Sequence, residues 1–271
     1  MGWRRIGRFA IGGVGDVAIL LIGGGGGLGA GVAPHLSRLG QVRVLDLATS
    51  GSNHRPAEVE MIVGDVTDPS TVAAACAGMS AVIHLAAVIT ATGTYTPTQM
   101  ADAFAVNVAS VHTCLVAAAE AGAQSFVYVS SMSVYADYGH RPVDPTAAPD
   151  AADVYGLTKR LGEEVCAALS GNVDESAGMT VTAARVALPT PDDAWPRWVQ
   201  PHGRPGRQRP RLDDGTPMPT LAYSDVAGAF EALLAYRGPY RPFSVTADIA
   251  GVSMTRDDGT YDTLNWRPTR R

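Results

Sequence analysis

Val17-Ala18-Ile19-Leu20-Leu21-Ile22-Gly23-Gly24-Gly25-Gly26-Gly27-Leu28-Gly29 decides how the rest of the chain is read. A run of apolar residues closed by glycine predicts a short strand buried on both faces, as in the middle of a parallel sheet. The glycines that follow include Gly23, Gly26 and Gly29 in G-x-x-G-x-x-G spacing. In such a loop the first glycine permits a tight turn. The second lets the backbone approach a pyrophosphate, and the third lets the next helix pack close to the sheet. That helix, read over residues 27–39, offers its free N–H groups to an anion. Consecutive glycines alone would equally make a flexible linker; a strand before them and a helix after them argue against it.

Outward from this loop, strand and helix patterns alternate. Val42-Arg43-Val44-Leu45-Asp46, Met61-Ile62-Val63-Gly64-Asp65, Ala81-Val82-Ile83-His84-Leu85, Phe126-Val127-Tyr128-Val129-Ser130 and Val181-Thr182-Ala183-Ala184-Arg185 read as further strands. Helical patterns cover residues 68–77, 99–121 and 154–169. This order predicts an α/β fold with a Rossmann-type doubly wound parallel sheet over residues 17–185. Residues 186–271 form a small C-terminal substrate-binding lobe of the same domain. Its Arg/Pro/Gly-rich stretch 189–219 reads as a long surface loop. Residues 224–245 return to the core as a helix at 224–236 and a strand at 242–245.

Two constellations carry chemistry. Asp46 ends the second strand, where its carboxylate accepts from ribose hydroxyls and repels a 2′-phosphate, which favours NAD over NADP. Tyr155 and Lys159 stand four apart on one helix face. An ammonium there lowers the tyrosine pKa, and a phenol so tuned exchanges a proton near neutral pH. Ser131, at the end of the fifth strand, is placed to hydrogen-bond a substrate carbonyl or hydroxyl, and Lys159 to hold the nicotinamide ribose.

With these motifs in order, the chain resembles the extended short-chain dehydrogenase/reductase family, the NAD-dependent epimerase/dehydratases. The resemblance runs over residues 17–185 and returns at 223–234. Residues 23–29, including Leu28, resemble its phosphate loop, and Gly64-Asp65-Val66 the stretch whose Asp contacts adenine. His84-Leu85-Ala86-Ala87 resembles the signature beside the cofactor, and Asn107-Val108 the helix asparagine that braces the active site. Val129-Ser130-Ser131-Met132-Ser133-Val134-Tyr135 resembles the strand carrying the catalytic Ser or Thr, which the count places on Ser131 rather than Ser130. Tyr155-Gly156-Leu157-Thr158-Lys159 matches Tyr-x-x-x-Lys.

The resemblance implies catalytic Ser131, Tyr155, Lys159 and Asn107. It implies a dinucleotide held by the glycine loop, Asp46, Asp65, Val66, Leu85, Ala86, Ala87, Tyr155 and Lys159. A small substrate would meet Thr90, Ser131, Ser133, Tyr155 and Arg185. A homodimer is expected through apolar residues of the helices at 99–121 and 154–169: Phe104, Val108, Val111, Leu115, Leu161 and Val165.

The chain also departs from the family. Strand six continues as Arg185-Val186-Ala187-Leu188-Pro189, without the usual Asn and Tyr-Gly-Pro turn. Pro219-Thr220 stands where nucleotide-sugar enzymes carry an arginine. The short lobe resembles that of compact uronate dehydrogenases. Three activities stay open: net redox on a secondary alcohol, ketone, sugar or sugar acid; epimerisation or dehydration of a nucleotide sugar; and dinucleotide binding without catalysis.

With 271 residues and a net charge of −5, the chain has enough length for a core and no basic bias toward nucleic acid. Cys76, Cys114 and Cys166 lack metal or disulfide spacing and read as core thiols of a cytoplasmic protein. His84, His112 and His140 share no ligand spacing and read as structural or surface residues, so no metal is expected. No apolar run is read as a membrane span. Trp3-Arg4-Arg5-Ile6-Gly7-Arg8-Phe9 faintly resembles a twin-arginine signal, but residues 1–16 are read as a disordered basic tail, because a cleaved export signal would take the first strand with it. The arginines at 204, 207, 209 and 211 either clamp an acidic substrate or face solvent, the latter being preferred.

Overall fold

The computed structural model describes residues 17–47, 59–90, 93–199, 210–247 and 254–270. The tail at 1–16 and the arginines at 204, 207 and 209 lie outside the described residues.

Nine strands are assigned among them: β1 (Ile19–Ile22), β2 (Val42–Asp46), β3 (Val59–Val63), β4 (Ala81–His84), β5 (Ser125–Ser131), β6 (Thr180–Val186), β7 (Pro189–Thr190), β8 (Leu221–Ala222) and β9 (Pro242–Val245). Seven form one sheet in the order β3-β2-β1-β4-β5-β6-β9, and every pair is parallel. The two short strands β7 and β8 pair beside it. The α-helices are α1 (Gly27–Leu36), α2 (Pro69–Cys76), α3 (Pro97–Phe104), α4 (Ser110–Glu120), α5 (Val154–Ala177), α6 (Tyr223–Ala235) and α7 (Thr260–Leu264).

All four residues of β1 are buried, as are all seven of β5 and of β6. Strands covered on both faces read as unbroken apolar or small-residue runs. One core joins Ile19, Leu21 and Val44 to Phe230 and Leu233 of α6; the other joins Leu20, Ile22 and Val82 to Val111 and Leu115 of α4. From β1 the strands step outward to β3, then return to β4 on the other side of β1. That reversal opens a crevice at the carboxyl ends of β1 and β4, where α/β sheets bind ligands.

Several boundaries differ from the sequence reading. β3 covers Val59–Val63, two residues early, because Gly64 N–H bonds Asp46 O at 3.0 Å and Asp65 already belongs to a turn whose Thr67 N–H it accepts. α1 stops at Leu36. The helix expected at 99–121 starts at Pro97 behind a Thr96/Gln99 capping box. It is interrupted by a π-helical turn, Ala105–Ala109. α5 continues beyond 169 to Ala177. Stretch 189–219 is not wholly a surface loop: Thr190 is buried, β7 pairs with β8, and Leu212 and Met218 are buried. Val111 and Leu115, expected at a dimer interface, are buried in the chain's own core.

Against the sequence reading, Pro97–Glu120 is long and apolar enough by composition to cross a membrane. Its α4 part packs on β4, β5, α2 and α5.

Candidate active site

The glycine loop sits at the crevice. Gly23 has φ +79°, and a Cβ there would lie 2.5 Å from the Ala86 backbone, so the turn out of β1 needs glycine. Leu85 and Ala86 N–H groups bond Ile22 O, which holds the start of the β4 loop against this turn. A Cβ on Gly26 would meet nothing nearer than Gly23 O at 3.8 Å, leaving open space before the first turn of α1. Gly26 caps α1 without a side chain, so its first-turn N–H groups face that space. The Asp46 carboxylate accepts from Gly25 N–H at 2.7 Å and Leu47 N–H at 2.7 Å. An open, N–H-lined turn beside one carboxylate fits a dinucleotide with a free ribose diol. A Cβ on Gly29 would strike Gly24 Cα at 2.5 Å, so the close approach of α1 to the turn leaving β1 needs a glycine there, and Gly31 lies as tightly against the Tyr223 ring of α6.

Beyond the loop, Leu28 and Ala87 are half-buried and Val66 is buried beside the exposed Asp65.

Across the crevice, adjacent serines at the end of β5 point to opposite faces. Ser130 donates to Glu163 Oε1 at 2.6 Å inside the protein. Ser131 accepts from Ser133 N–H at 3.1 Å and lies near the Tyr155 phenol, whose pKa it lowers. Tyr155 arrives there because α5 begins tight against the 3-10 turn Met132–Val134: a Cβ on Gly156 would lie 2.4 Å from Ser133 O. Asp153 fixes that first turn by accepting from Gly156 N–H at 3.0 Å. Burial pushes the Tyr155 phenol up to about 12, and Ser131 opposes that rise.

Lys159 is buried and donates to Val129 O at 2.8 Å, with Nζ 5.8 Å from the Tyr155 ring centre. Burial lowers its pKa to about 7, against the pull of Glu163. The lowering influence at Tyr155 is thus Ser131 rather than the expected ammonium, which is turned toward a strand carbonyl.

Arg185 does not face a substrate. It donates to both Glu163 oxygens, at 2.9 and 2.6 Å, and to the Tyr135 hydroxyl, and its side chain is 7% exposed. Its place on β6 opposite Ser130 sends it into the sheet–helix layer, where a buried guanidinium requires a carboxylate. Asn107, in the π-helical turn, accepts from Val88 N–H at 2.7 Å. It donates to Val88 O at 3.2 Å and Thr158 Oγ1 at 2.9 Å, tying the β4 loop to α5. Thr90 lies on that loop and Ser133 is half-buried beside Ser131. The loop also brings Tyr95 in, which the sequence reading missed. Its phenol reaches Val88 O and Thr90, close enough to Tyr155 to raise that group's pKa. A lone tyrosine between Gly93 and the Thr96 cap carries no signal in sequence.

Among the remaining candidates, His84 is buried, His112 is exposed, and His140 pairs with Asp213 on the surface. Next to Pro219, the residue at the expected arginine position, Thr220 is buried and donates to Pro196 O, while its own carbonyl accepts from Trp195 Nε1.

The NAD dependent epimerase/dehydratase family matches residues 19–245. The chain is 39% identical over 119 residues to a 3 beta-hydroxysteroid dehydrogenase/Delta 5-->4-isomerase of Mycobacterium tuberculosis, covering 43% of this chain and 32% of that protein. It is 30% identical over 165 residues to an NAD-dependent glucose-6-phosphate dehydrogenase of Haloferax volcanii, covering 55% and 61%. The chain thus spans about a third of the length of the first of these relatives. In fold it is similar to the Bordetella bronchiseptica enzyme WbmG in complex with NAD, with TM-score 0.72, 19% identity, and 96% and 92% of the two chains covered. A glucuronic acid dehydrogenase from Chromohalobacter salexigens gives TM-score 0.71 at 20% identity, with 93% and 84% covered. Glycine loop, Ser-Tyr-Lys cluster and matched length agree: the chain belongs to the NAD dependent epimerase/dehydratase family.

Proposed function

We propose that this chain is an NAD-dependent oxidoreductase acting on a small secondary alcohol or ketone, a free sugar or a sugar acid. The observation that carries the reading is the meeting of Ser131 at the end of β5 with Tyr155 at the start of α5, close enough for Ser131 to hold the phenol's pKa down, beside buried Lys159. NAD would lie on the Gly26 turn, with Asp46 at its ribose and the stretch at 85–87 beside its reactive end, and when bound it accepts or donates a hydride. Ser131 orients the substrate oxygen. Tyr155 would give a proton to that oxygen from its hydroxyl or take one from it as phenolate, and Lys159, turned to the Val129 carbonyl, would hold the nicotinamide ribose. Asn107 keeps the β4 loop and α5 in register.

The reading without a nucleotide on the substrate is supported by Pro219, which stands at the expected arginine position and has no cation to offer a diphosphate. An epimerase acting on a nucleotide sugar is the second reading; a UDP-galactose 4-epimerase shares the fold at TM-score 0.70. We place the protein in a reducing compartment, the cytoplasm, because Cys76, Cys114 and Cys166 are all buried free thiols.

The test uses purified protein, NAD and a panel of sugars, sugar acids and small alcohols. We expect NADH in proportion to product, and a turnover about 10²–10⁴-fold lower for Tyr155→Phe with NAD affinity retained. Unchanged turnover would remove Tyr155 from the mechanism. Product without NADH change, together with micromolar binding of UDP by calorimetry, would put the epimerase reading first.

A further inference from the structure

The interruption between α3 and α4 has a buried support outside the proposed chemistry. In the π-helical turn Ala105–Ala109, Ser110 N–H reaches Ala105 O, five residues back. Its side chain instead meets the Val106 carbonyl, with Oγ 2.5 Å from that oxygen. A carbonyl has no proton to give, so at this separation the serine hydroxyl is the donor. The same Oγ is 2.9 Å from His84 Nε2. With its proton spent on Val106, Ser110 can only accept there, so His84 carries its proton on Nε2 and leaves Nδ1 bare. Nδ1 is indeed fully buried and has no hydrogen-bond partner among the described residues.

A second strand side chain meets the same turn. Tyr128 of β5 is fully buried and donates to the Asn107 carbonyl at 3.3 Å. It reaches there because Gly162 of α5 has no side chain: a Cβ would lie 2.3 Å from the Tyr128 hydroxyl. The Lys159 ammonium sits 5.0 Å from the centre of the Tyr128 ring, a favourable cation–π placement.

We propose that His84, acting through Ser110, is a positioning residue that holds the π-helical turn so that Asn107 locks the β4 loop to the helix carrying Tyr155 and Lys159. The route is continuous: His84 to Ser110, Ser110 to Val106 O, and Asn107 one residue on to Val88 and Thr158, whose hydroxyl donates to Tyr155 O at 2.9 Å. The His84 signature residue thus works from behind the site rather than in it. The titratable groups facing the imidazole are Lys159 of α5 and Tyr128 of β5. Burial and the Lys159 charge hold its pKa down at about 3, so it stays neutral and keeps one tautomer through the physiological range.

The proposal rests on the redox reading for its kinetic arm only. The spectroscopic arm uses the full chain labelled with 15N-histidine, without substrate. We expect one imidazole with Nε2 protonated and Nδ1 bare that does not titrate between about pH 5 and 8, against an ordinary value near 6.5. Ser110→Ala should abolish that signature, and Ser110→Thr, which keeps the hydroxyl, should restore it. In the kinetic arm, Ser110→Ala should lower kcat by about 10–100-fold, because small misplacements of reacting groups cost that much. KM for NAD should change by less than about 3-fold, since the Gly26 turn and Asp46 are untouched, and Ser110→Thr should recover most of kcat. An Nδ1-protonated or titrating His84 overturns the proposal, as does Ser110→Ala with full kcat. If the signature is as expected but the wild type turns over no substrate with NAD, the redox reading fails while the tautomer assignment stands.

Discussion

Side chains that look free in a sequence are often already committed. Arg185 is the plainest case: a cation at the end of a strand near the active serine invites a substrate role, yet both its faces are spent on Glu163 and Tyr135. Removing one partner of a buried pair strands the other charge and costs about 3–5 kcal/mol. Arg185→Met should therefore lower the thermal midpoint by several degrees in calorimetry while leaving substrate KM near that of the wild type in protein that remains folded. A large rise in KM with an unchanged midpoint would return Arg185 to the substrate pocket. The fate of Arg185 was illegible because Glu163 lies 22 residues upstream on another element. The choice of Ser131 over Ser130 came from the resemblance, by counting back from Val134-Tyr135; strand alternation says only that the two face opposite ways, and the structure turns Ser130 inward to Glu163.

At the scale of elements, sequence patterning was strongest where a strand is buried on both faces and a glycine follows, as at β1 and the Gly23 turn. It was weakest where geometry departs from a regular period. Nothing in Ala105-Val106-Asn107-Val108-Ala109 distinguishes a π-helical turn from a plain α-helix; the side chains that meet it, Ser110 on the Val106 carbonyl and His84 behind Ser110, lie outside those five residues. The short α7 and the pair β7 and β8 were missed because elements of two to five residues carry too few positions to show a period. Patterning also named Val111 and Leu115 as interface residues, since apolar residues on a helix do not declare which neighbour covers them. After that correction, the apolar positions open to a second copy are Met100 and Phe104 on α3, each 39% exposed, with half-buried Val108, Leu161 and Val165 nearby. A homodimer through this face predicts that light scattering gives twice the chain mass at micromolar concentration and that Phe104→Glu halves it. A wild type that is monomeric under those conditions removes the dimer.

For the whole molecule, the groups with shifted pKa values set how stability follows pH. His84 and Lys159 are bases held down to about 3 and about 7 in the folded state, from 6.5 and 10.5. The unfolded chain binds more protons between each pair of values, so stability rises with pH through 3–6.5 and again through 7–10.5. Tyr155 is an acid pushed up to about 12, so its contribution is full below 10 and is lost as pH rises from there. Urea midpoints should climb from pH 5 to pH 9, and Lys159→Met should flatten the part above 7. A wild-type midpoint that falls between pH 7 and 9 would contradict this account. One feature of the sheet bears on how such a chain is made. β6 is buried along its whole length, yet its outer neighbour β9 follows only after residues 187–241 have been synthesised. A nascent chain whose β6 has left the ribosome while Pro242–Val245 has not would thus display β6 as a bare, apolar sheet edge, the surface most open to pairing with another nascent copy. The late arrival of Pro242–Val245 makes the interval between those two points the stage at which holdase chaperones have most to protect.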